Sequence, residues 1–406
     1  MRNLLLIFAI GAISVAQAQV KPSKSNATFD LGTGLNFEFN DSNYRFKISG
    51  NVQPYMAFQK QKSAEKPEYI FNAKRTYFNL SGFAVKEKVS FFLQTDYSRD
   101  IPLMDAWIAY HGIKNLTITA GQKQNVANNR EMLIMEDQLQ FPDRSILSSQ
   151  FSNTGREFGL FLDYKWDKNS FGIQSFVSVT SGDGRNSFGA SASDVDAGGL
   201  KYSARLDIYP LGFFKEGNDR SMADLKREES VKIVLGGAAS YNDGANETVG
   251  EGHNEFTLYN QVGETQQPDY RQVYFDVLCK YQGFSFLGEY VIASATNLEG
   301  TYTDALGELM KPTEISNYLA LGSAYNLQAG YVTKKGYALD VRYTMTTPEF
   351  DQNKFSIIQE NTAWGIGASK YFRENSLKIQ AALTSFEYQN SENNKLLGEL
   401  LLQVIF

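Results

Sequence analysis

The chain has 406 residues, and its 39 lysines and arginines against 45 aspartates and glutamates give a formal net charge of −6. This mild negative charge offers no basic face, which excludes nucleic acid as a partner. The single cysteine, Cys279, cannot form an internal disulfide, and two histidines with one cysteine leave no nitrogen/sulfur metal cluster. We therefore expect no metal and no cofactor.

The N-terminal residues have the three parts of a secretory signal. Arg2 supplies a positive charge, residues 4–13 an apolar core, and Ala16-Gln17-Ala18 a small-residue cleavage site. The apolar run is too short for a helix that spans about 30 Å of hydrocarbon. We predict that residues 1–18 are a cleaved signal peptide and that residues 19–43 form an N-terminal leader and a short periplasmic segment.

From residue 44 to residue 406, apolar and polar residues alternate with the period of two that is typical of β-strands. In the run Tyr44-Arg45-Phe46-Lys47-Ile48, for example, both cations fall on one face. The pattern predicts about sixteen strands, an even number within the range of outer-membrane barrels. They lie near residues 44–53, 75–83, 89–97, 103–110, 116–122, 157–165, 171–180, 200–209, 230–241, 271–281, 284–292, 318–332, 337–345, 362–370, 376–384 and 396–406.

Tight turns and longer connections alternate along most of this pattern. The predicted longer connections cover residues 54–74, 122–156, 181–199, 242–270, 293–317, 346–361 and 385–395. Two connections break this alternation. Residues 98–102 form a short connection where a long loop is expected, and residues 210–229 form a long connection where a tight turn is expected. When the short connection 98–102 is counted with this series, residues 122–156 form its third member and its longest. An insertion of this length in a regular β-protein is usually functional or disordered. We expect it to fold inward and narrow a pore.

Two all-β architectures fit alternating strands, a soluble sandwich and a transmembrane barrel with its apolar residues facing lipid. Aromatic residues favour the barrel, since 23 tyrosines and 29 phenylalanines are present and tyrosines recur at the predicted strand ends, where interfacial girdles lie. The final strand ends on Phe406, with Leu400, Leu402 and Val404 on the same face. We predict an antiparallel outer-membrane β-barrel over residues 44–406, in contact with membrane lipids and assembled by the barrel-assembly machinery through Phe406.

Several blocks of the first third of the mature chain resemble the phosphate-selective porins of the O and P type. The most specific blocks are Arg130-Glu131, Phe141-Pro142-Asp143-Arg144-Ser145 and Gly155-Arg156-Glu157-Phe158-Gly159. The resemblance implies a sixteen-stranded, trimeric barrel whose third outer loop enters the lumen. The chain departs from the family over residues 123–129, where a lysine- and proline-containing approach is usual, and phosphate selectivity therefore stays open.

Permeation requires charged side chains on the lumen wall and at the constriction. Candidate solute-contacting residues of the constriction loop are Lys123, Arg130, Glu131, Asp143, Arg144 and Arg156. Candidate lumen-lining residues are Arg45, Lys47, Arg75, Asp96, Asp105, Arg205, Lys232 and Arg342. The arginines of the loop either group at the neck to contact small anions, or form local pairs with adjacent acids (Arg130–Glu131, Asp143–Arg144 and Arg156–Glu157) that attach the loop to the wall.

The cations and anions predicted for the lumen nearly balance, which suits passive diffusion of small hydrophilic solutes with at most an anion or phosphate preference. Two alternatives remain. The loop could plug the lumen of a structural or interaction barrel. The barrel could also be a lipase in which His111 or His253 activates a serine, although no other catalytic signal supports an enzyme.

Overall fold

The computed structural model describes residues 26–39, 43–153, 155–185, 198–250, 255–305 and 307–406. The predicted signal peptide, residues 1–18, and His253 lie outside the described residues. The described chain forms eighteen β-strands, two short α-helices and four short 3₁₀-helices. No helix in these ranges is both long enough and apolar enough to cross a membrane.

The strands run in chain order around one continuous antiparallel sheet. Their bounds are β1 Asn26–Asp30, β2 Gly34–Phe39, β3 Tyr44–Gln61, β4 Glu68–Ala84, β5 Val89–Asp96, β6 Leu103–Ile113, β7 Leu116–Gln124, β8 Arg156–Lys168, β9 Phe171–Thr180, β10 Lys201–Tyr209, β11 Lys232–Asn242, β12 Asp269–Tyr281, β13 Phe284–Thr296, β14 Gly322–Val332, β15 Tyr337–Pro348, β16 Asn361–Arg373, β17 Leu377–Tyr388 and β18 Lys395–Ile405. Since β18 pairs with β3, placing Leu400 opposite Met56, strands β3 to β18 close into a barrel of sixteen strands.

The packing of the barrel is the inverse of a soluble sandwich. On β8, the apolar side chains of Leu160 and Leu162 face outward and are exposed, whereas on β10 the charged side chains of Lys201, Arg205 and Asp207 face the lumen and are buried. Closure of the sheet gives every wall strand two hydrogen-bonded neighbours, as a hydrocarbon environment demands. The predicted barrel is thereby confirmed, and the sandwich alternative is wrong.

All sixteen strands predicted from the alternation are present, but two predicted boundaries are wrong. Residues 54–74 are mostly strand, because β3 and β4 extend the wall and leave only residues 62–67 as a connection. The predicted strand 318–332 begins at Gly322, since Tyr318 to Leu321 complete a loop that packs on buried apolar side chains. Apolar residues in a packed loop give the same alternating pattern as a strand.

Strands β1 and β2 form a hairpin within residues 19–43, the segment interpreted as a leader and short periplasmic segment. β2 pairs with the first part of β3, placing Leu35 opposite Ile48, while β18 pairs with the later part of the same edge. Asp30 forms an ion pair with Arg373 at 2.7 Å. The hairpin therefore lengthens the wall at the end of the barrel where β18 terminates.

The connections define two different ends of the barrel. At the turn end, most strands are joined by two to four residues, as between Tyr281 and Phe284. At the loop end, the connections are longer and cover residues 62–67, 97–102, 125–155, 181–200, 243–268, 297–321, 349–360 and 389–394. The connection 97–102 is short at the loop end and the connection 210–231 is long at the turn end, as the sequence predicts.

Residues 125–155, the third connection at the loop end, form the constriction loop. The loop contains the helices α1 (Arg130–Leu133) and α2 (Ile146–Phe151) and a 3₁₀ turn at Glu136–Gln138. Most of its side chains are buried inside the barrel. The predicted inward fold of the third outer loop is confirmed.

Candidate pore neck and lumen

Arg130 attaches the constriction loop to strands β10 and β12 of the wall. Its guanidinium donates to Asp207 on β10 at 2.8 and 2.9 Å and to Asp276 on β12 at 2.8 Å. Arg205 bonds to the same two carboxylates and donates to the backbone carbonyl of Asn128 in the loop. Two arginines and two aspartates thus form a closed, buried ion network at the start of α1.

Glu131 holds the two helices of the loop together. Its Oε2 accepts hydrogen bonds from the backbone and hydroxyl of Ser145, at 2.8 and 2.6 Å, and from the hydroxyl of Ser148. Its own backbone N–H donates to Glu289 on β13 at 2.7 Å. Glu131 is therefore an internal brace of the loop and is 1% exposed, so it does not face the passage.

The gap between the loop and the β5–β6 wall is filled by a group of side chains that we call the neck, comprising Arg75, Gln94, Asp105, Glu136 and Arg156. Arg156 donates to Asp105 at 2.9 Å and to Gln94 at 3.3 Å, and lies 3.6 Å from Glu136. Because Arg156 is 0% and Gln94 1% exposed, water does not reach the centre of the neck.

Beside the neck, Arg144 stabilises the loop internally and Asp143 attaches it to the wall. Arg144 pairs with Glu136 at 3.0 Å and donates to the carbonyls of Glu131 and Ile134. On β4, Arg75 reaches Asp143 at 3.2 Å, and Lys74 binds the other oxygen of the same carboxylate. From β15, Arg342 donates to the carbonyl of Asp143 at 2.8 Å.

Two carboxylates of the loop have pKa values below their ordinary range. Burial alone would raise the pKa of Glu136, but the guanidiniums of Arg144, Arg156 and Arg75 outweigh burial and hold it well below its usual value. Burial opposes ionisation of Asp143 as well, yet Lys74 and Arg75 lower its pKa to about 2. Both groups are therefore anions at neutral pH.

The arginines attach the loop as one of the two sequence-based readings expects, but through different partners. The adjacent acids were the predicted partners, whereas the structure pairs Arg130 with β10 and β12, Arg144 with Glu136, and Arg156 with β6. Glu157 binds Lys201 instead, at 2.9 Å. Adjacent residues direct their side chains apart in a helix as well as in a strand, so an acid elsewhere in the fold is easier to reach.

The long connection at the turn end, residues 210–231, also enters the lumen, and we call it the inner segment. Lys280 on β12 donates its three ammonium hydrogens to the carbonyls of Asn218, Ser221 and Ala223. Met222 donates its backbone N–H to Gln138 of the constriction loop at 3.0 Å. Phe214 and Met222 pack with Ile134 and Leu139 of that loop. The loop and the inner segment therefore meet inside the barrel.

Packed loops cover the part of the loop end above β11 to β16. Leu258, Met310, Ile315 and Ile358 from three connections form one apolar cluster with Leu147 and Phe151 of α2. The remaining lumen space lies toward β3 to β9. Two cavities of about 420 and 450 Å³ lie there beneath the neck, on either side of Arg220 of the inner segment.

The other predicted lumen residues lie on the inward face at different heights. At the turn end, Arg45 pairs with Glu87 and Lys232 donates to the carbonyl of Leu211 at 2.7 Å. At the loop end, Asp96 accepts from the backbone of Thr76 at 3.0 Å. These residues do not meet at the neck. Of the predicted site residues, the neck contains Arg75, Asp105 and Arg156, and its other two members are Glu136 and Gln94.

Lys123 lies among aromatic side chains, whereas Lys47 faces a cavity below the neck. The ammonium of Lys123 lies between the rings of Trp107 and Phe161, at 6.0 and 5.2 Å from their centres. Lys47 lines the larger cavity. Sequence reasoning did not single out Gln94 or the inner segment as parts of the lumen, although the unusual length of residues 210–229 was a usable signal.

His111 forms a serine–histidine contact of the kind a lipase would use. Its Nε2 lies 2.8 Å from the hydroxyl of Ser90, but its Nδ1 faces the hydroxyl of Thr117 at 3.1 Å instead of a carboxylate. A triad needs an acid at that place to orient the ring and stabilise its cation. The arrangement gives no support for hydrolysis.

A closed sixteen-stranded antiparallel barrel with an apolar outer face, a charged lumen and an inward-folded third loop belongs to the class of outer-membrane β-barrels. No protein-family model and no curated protein sequence matches the chain. Solved structures do match it. The outer membrane channel DcaP of Acinetobacter baumannii is similar with a TM-score of 0.57 at 11% identity, over 90% of this chain and 98% of that chain.

Two further structures are similar at the same level. OmpTdeltaL8, a loop L8 deletion mutant of the outer membrane protein OmpT of Vibrio cholerae, has a TM-score of 0.51 at 11% identity, over 90% of this chain and 100% of that chain. OprB of Pseudomonas putida has a TM-score of 0.51 at 11% identity, over 89% and 94%. Identities this low indicate a common fold, and membership of the phosphate-selective family stays a prediction.

Proposed function

We propose that this chain is an outer-membrane channel through which small hydrophilic solutes diffuse passively, without an enzymatic step. The observation that carries the proposal is a closed barrel whose lumen holds charged side chains and a loop that is attached to the wall through Arg130, Glu136 and Asp143. A purely structural barrel could fill its interior with apolar side chains at lower desolvation cost. A charged interior is what a water-filled path requires.

The arrangement of the neck supports at most a weak preference for anions. Phosphate recognition needs guanidinium groups whose donors are free to bind the phosphate oxygens. Here Arg130, Arg144 and Arg156 each direct donors to carboxylates or carbonyls of the protein itself. The charges around the passage also balance closely. We therefore propose a channel that discriminates solutes mainly by size.

A barrel with a plugged lumen is the second candidate, and the burial of the neck favours it. With Arg156 0% exposed, no path for water runs between the side chains of the neck unless one of them moves aside. Such a motion breaks charge-assisted hydrogen bonds, so openings would be brief or the conductance small. The two candidates therefore differ in whether single-channel openings occur at all.

Reconstitution of the purified, refolded barrel into a planar bilayer tests the proposal. We expect discrete conductance steps and, in a salt gradient, a reversal potential close to zero or slightly on the anion-selective side. Heat-denatured protein at the same concentration is the control. A membrane that stays electrically silent while the same sample migrates as a folded barrel on an unheated gel would contradict the channel and favour the plug.

The assembly and export of the protein complete the proposal. We propose a homotrimer in the outer membrane, exported by the signal at residues 1–18 and inserted by the barrel-assembly machinery through the strand that ends in Phe406. The proposal rests on the family resemblance and on the apolar outer face of the barrel. Chemical cross-linking in native membranes tests the trimer, and N-terminal sequencing of the mature protein tests the cleavage site.

A further inference from the structure

The larger of the two cavities, of about 450 Å³, lies below the neck and against strands β3 to β5. Its volume falls in the usual range for small-molecule sites, roughly 300–1,000 Å³. One side is a regular array of inward side chains that we call the wall patch, comprising Lys47, Ser49, Asn79, Ser81, Phe92 and Gln94. Across the cavity lie Asp137 and Gln138 of the constriction loop and Arg220 of the inner segment.

Strand register fixes the geometry of the wall patch. Lys47 lies opposite Ser81, which lies opposite Phe92, and in the next row Ser49 lies opposite Asn79, which lies opposite Gln94. Directly opposed side chains have Cβ atoms about 4.5–5.5 Å apart. The patch is thus a two-row grid of hydroxyl and amide groups that borders an aromatic ring, with spacings comparable to the width of a sugar ring.

Several polar groups of the grid have hydrogen-bonding capacity to spare. The amide of Gln94 donates to the oxygen of Asn79 at 3.0 Å, and the side chain of Asn79 lines the cavity with its amide nitrogen still available as a donor. Within the described residues, that nitrogen and the hydroxyls of Ser49 and Ser81 form no hydrogen bond of their own. Amides and hydroxyls both donate and accept hydrogen bonds, so each can act as donor or as acceptor towards a hydroxyl of the solute.

An aromatic surface completes the grid. Phe92 packs against Trp107 with ring centres 5.8 Å apart and planes at 47°. The exposed part of such a pair offers an apolar face to a solute that is itself apolar on one side. A pyranose ring has this character, since its hydroxyls point around the rim and its C–H groups form the faces.

We propose that the wall patch is a binding subsite for neutral mono- or disaccharides that pass through the lumen. This inference deepens the proposed channel function and rests on it for the delivery of the solute. An inorganic anion would find a poorer site, because the cations Lys47 and Arg220 are offset by Asp137 and Glu374 around the same cavity. The neutral groups of the grid therefore decide which solute binds.

Tryptophan fluorescence tests the subsite without requiring conduction. The chain has three tryptophans, so the double variant Trp166→Phe/Trp364→Phe leaves Trp107, beside Phe92, as the only reporter. We expect titration of the detergent-solubilised barrel with maltose or glucose to give a saturable change, with half-saturation at about 1–50 mM, a range that corresponds to weak binding. Potassium phosphate at equal ionic strength should give no saturable change.

Variants of the wall patch, made in the same background, distinguish binding at this site from a non-specific effect of the sugar on the fluorescence. Asn79→Ala and Phe92→Leu should each weaken maltose binding by about fivefold, the value of one hydrogen bond or of part of an aromatic contact. Ser203→Ala, a lumen-facing serine on β10 away from the cavity, should leave binding unchanged.

The possible outcomes distinguish the subsite from the channel. Saturation by phosphate and not by sugars, or an absence of any saturable signal, would overturn the sugar subsite. Conductance in a bilayer without a saturable signal would refute the subsite alone. A saturable, grid-dependent signal in a barrel that never conducts would refute the channel and keep the binding site.

Discussion

The Nε of Arg156 donates to Oδ2 of Asp105 at 2.9 Å, and this bond connects the first residue of strand β8, where the constriction loop ends, to strand β6. Both side chains are buried, so each charge depends on the other for its compensation. The pair also closes the gap between the loop and the wall. Stability of the loop and resistance to solute flow are therefore properties of the same contact.

Asp105→Asn keeps the size of the side chain and removes its charge. We expect single-channel conductance or open probability to increase, because Arg156 loses its firmest partner and can turn toward Glu136. The folded barrel should lose stability, since breaking a buried pair costs about 3–5 kcal/mol. Bilayer recordings measure the first effect and the heat needed to unfold the barrel on gels measures the second. Lys62→Gln, at an exposed pair with Glu392, is the matched control; an unchanged conductance in Asp105→Asn would exclude the neck as the main resistance.

Arg130→Met tests the attachment of the loop to β10 and β12. Without this guanidinium, Asp207 and Asp276 retain only Arg205 between them, and α1 loses its connection to β10 and β12. We expect the constriction loop to become mobile and to be cut by an added protease near residues 130–150, whereas the wild-type loop stays intact. Arg130→Lys should restore part of the protection, because a single ammonium cannot reproduce the forked contacts. Equal resistance of wild type and Arg130→Met would contradict the role assigned to Arg130.

The positions of the strands could be predicted from the sequence because a barrel wall imposes one physical rule, alternate exposure to hydrocarbon and lumen, on every strand. Leu160, Leu162, Arg205 and Asp207 obey this rule, and their faces follow directly from it. The partners of the arginines could not be predicted in the same way. Arg130 and Asp276 are 146 residues apart, and only closure of the barrel brings them within 2.8 Å.

The inner segment shows the same difference between an element that the sequence predicts and a contact partner that it does not. The length of residues 210–229 indicated an irregular connection, but the pattern did not say whether it lies outside or inside the barrel. Its place depends on Lys280, whose ammonium needs the carbonyls of the inner segment once it is buried on the lumen face. A lumen-facing lysine is visible in the sequence, whereas the segment that satisfies it is not.

The ionisation of Asp143 predicts the pH range over which the loop stays fastened. Its pKa is about 2 in the folded chain, against an ordinary value of 3.8. A lowered folded pKa stabilises the ionised form, so this contribution is complete above about pH 4 and is lost as the pH falls through about 2. The contribution of Asp143 to conductance and its noise should therefore be constant from pH 7 to pH 4 and change only below about pH 3. Asp143→Asn should show at every pH the conductance and noise that the wild type shows below about pH 3. A transition centred between pH 5 and pH 7 in the wild type would show that a different group controls the loop.

The inner segment predicts a second resistance in series with the neck. Lys280→Met removes the ammonium that binds the carbonyls of Asn218, Ser221 and Ala223, and these carbonyls cannot all find partners in the barrel wall. We expect the segment to withdraw from the lumen, the contact between Met222 and Gln138 to be lost, and access from the turn end to increase. The measurement uses a cysteine placed at Gln138, in a background where Cys279 is replaced by serine, and a membrane-impermeant thiol reagent added from the turn end. This cysteine should react about tenfold or more faster in Lys280→Met than in the same protein with Lys280 intact. Equal rates would mean that the segment stays in place through the packing of Phe214 and Met222 on the constriction loop, and that the neck alone limits the passage.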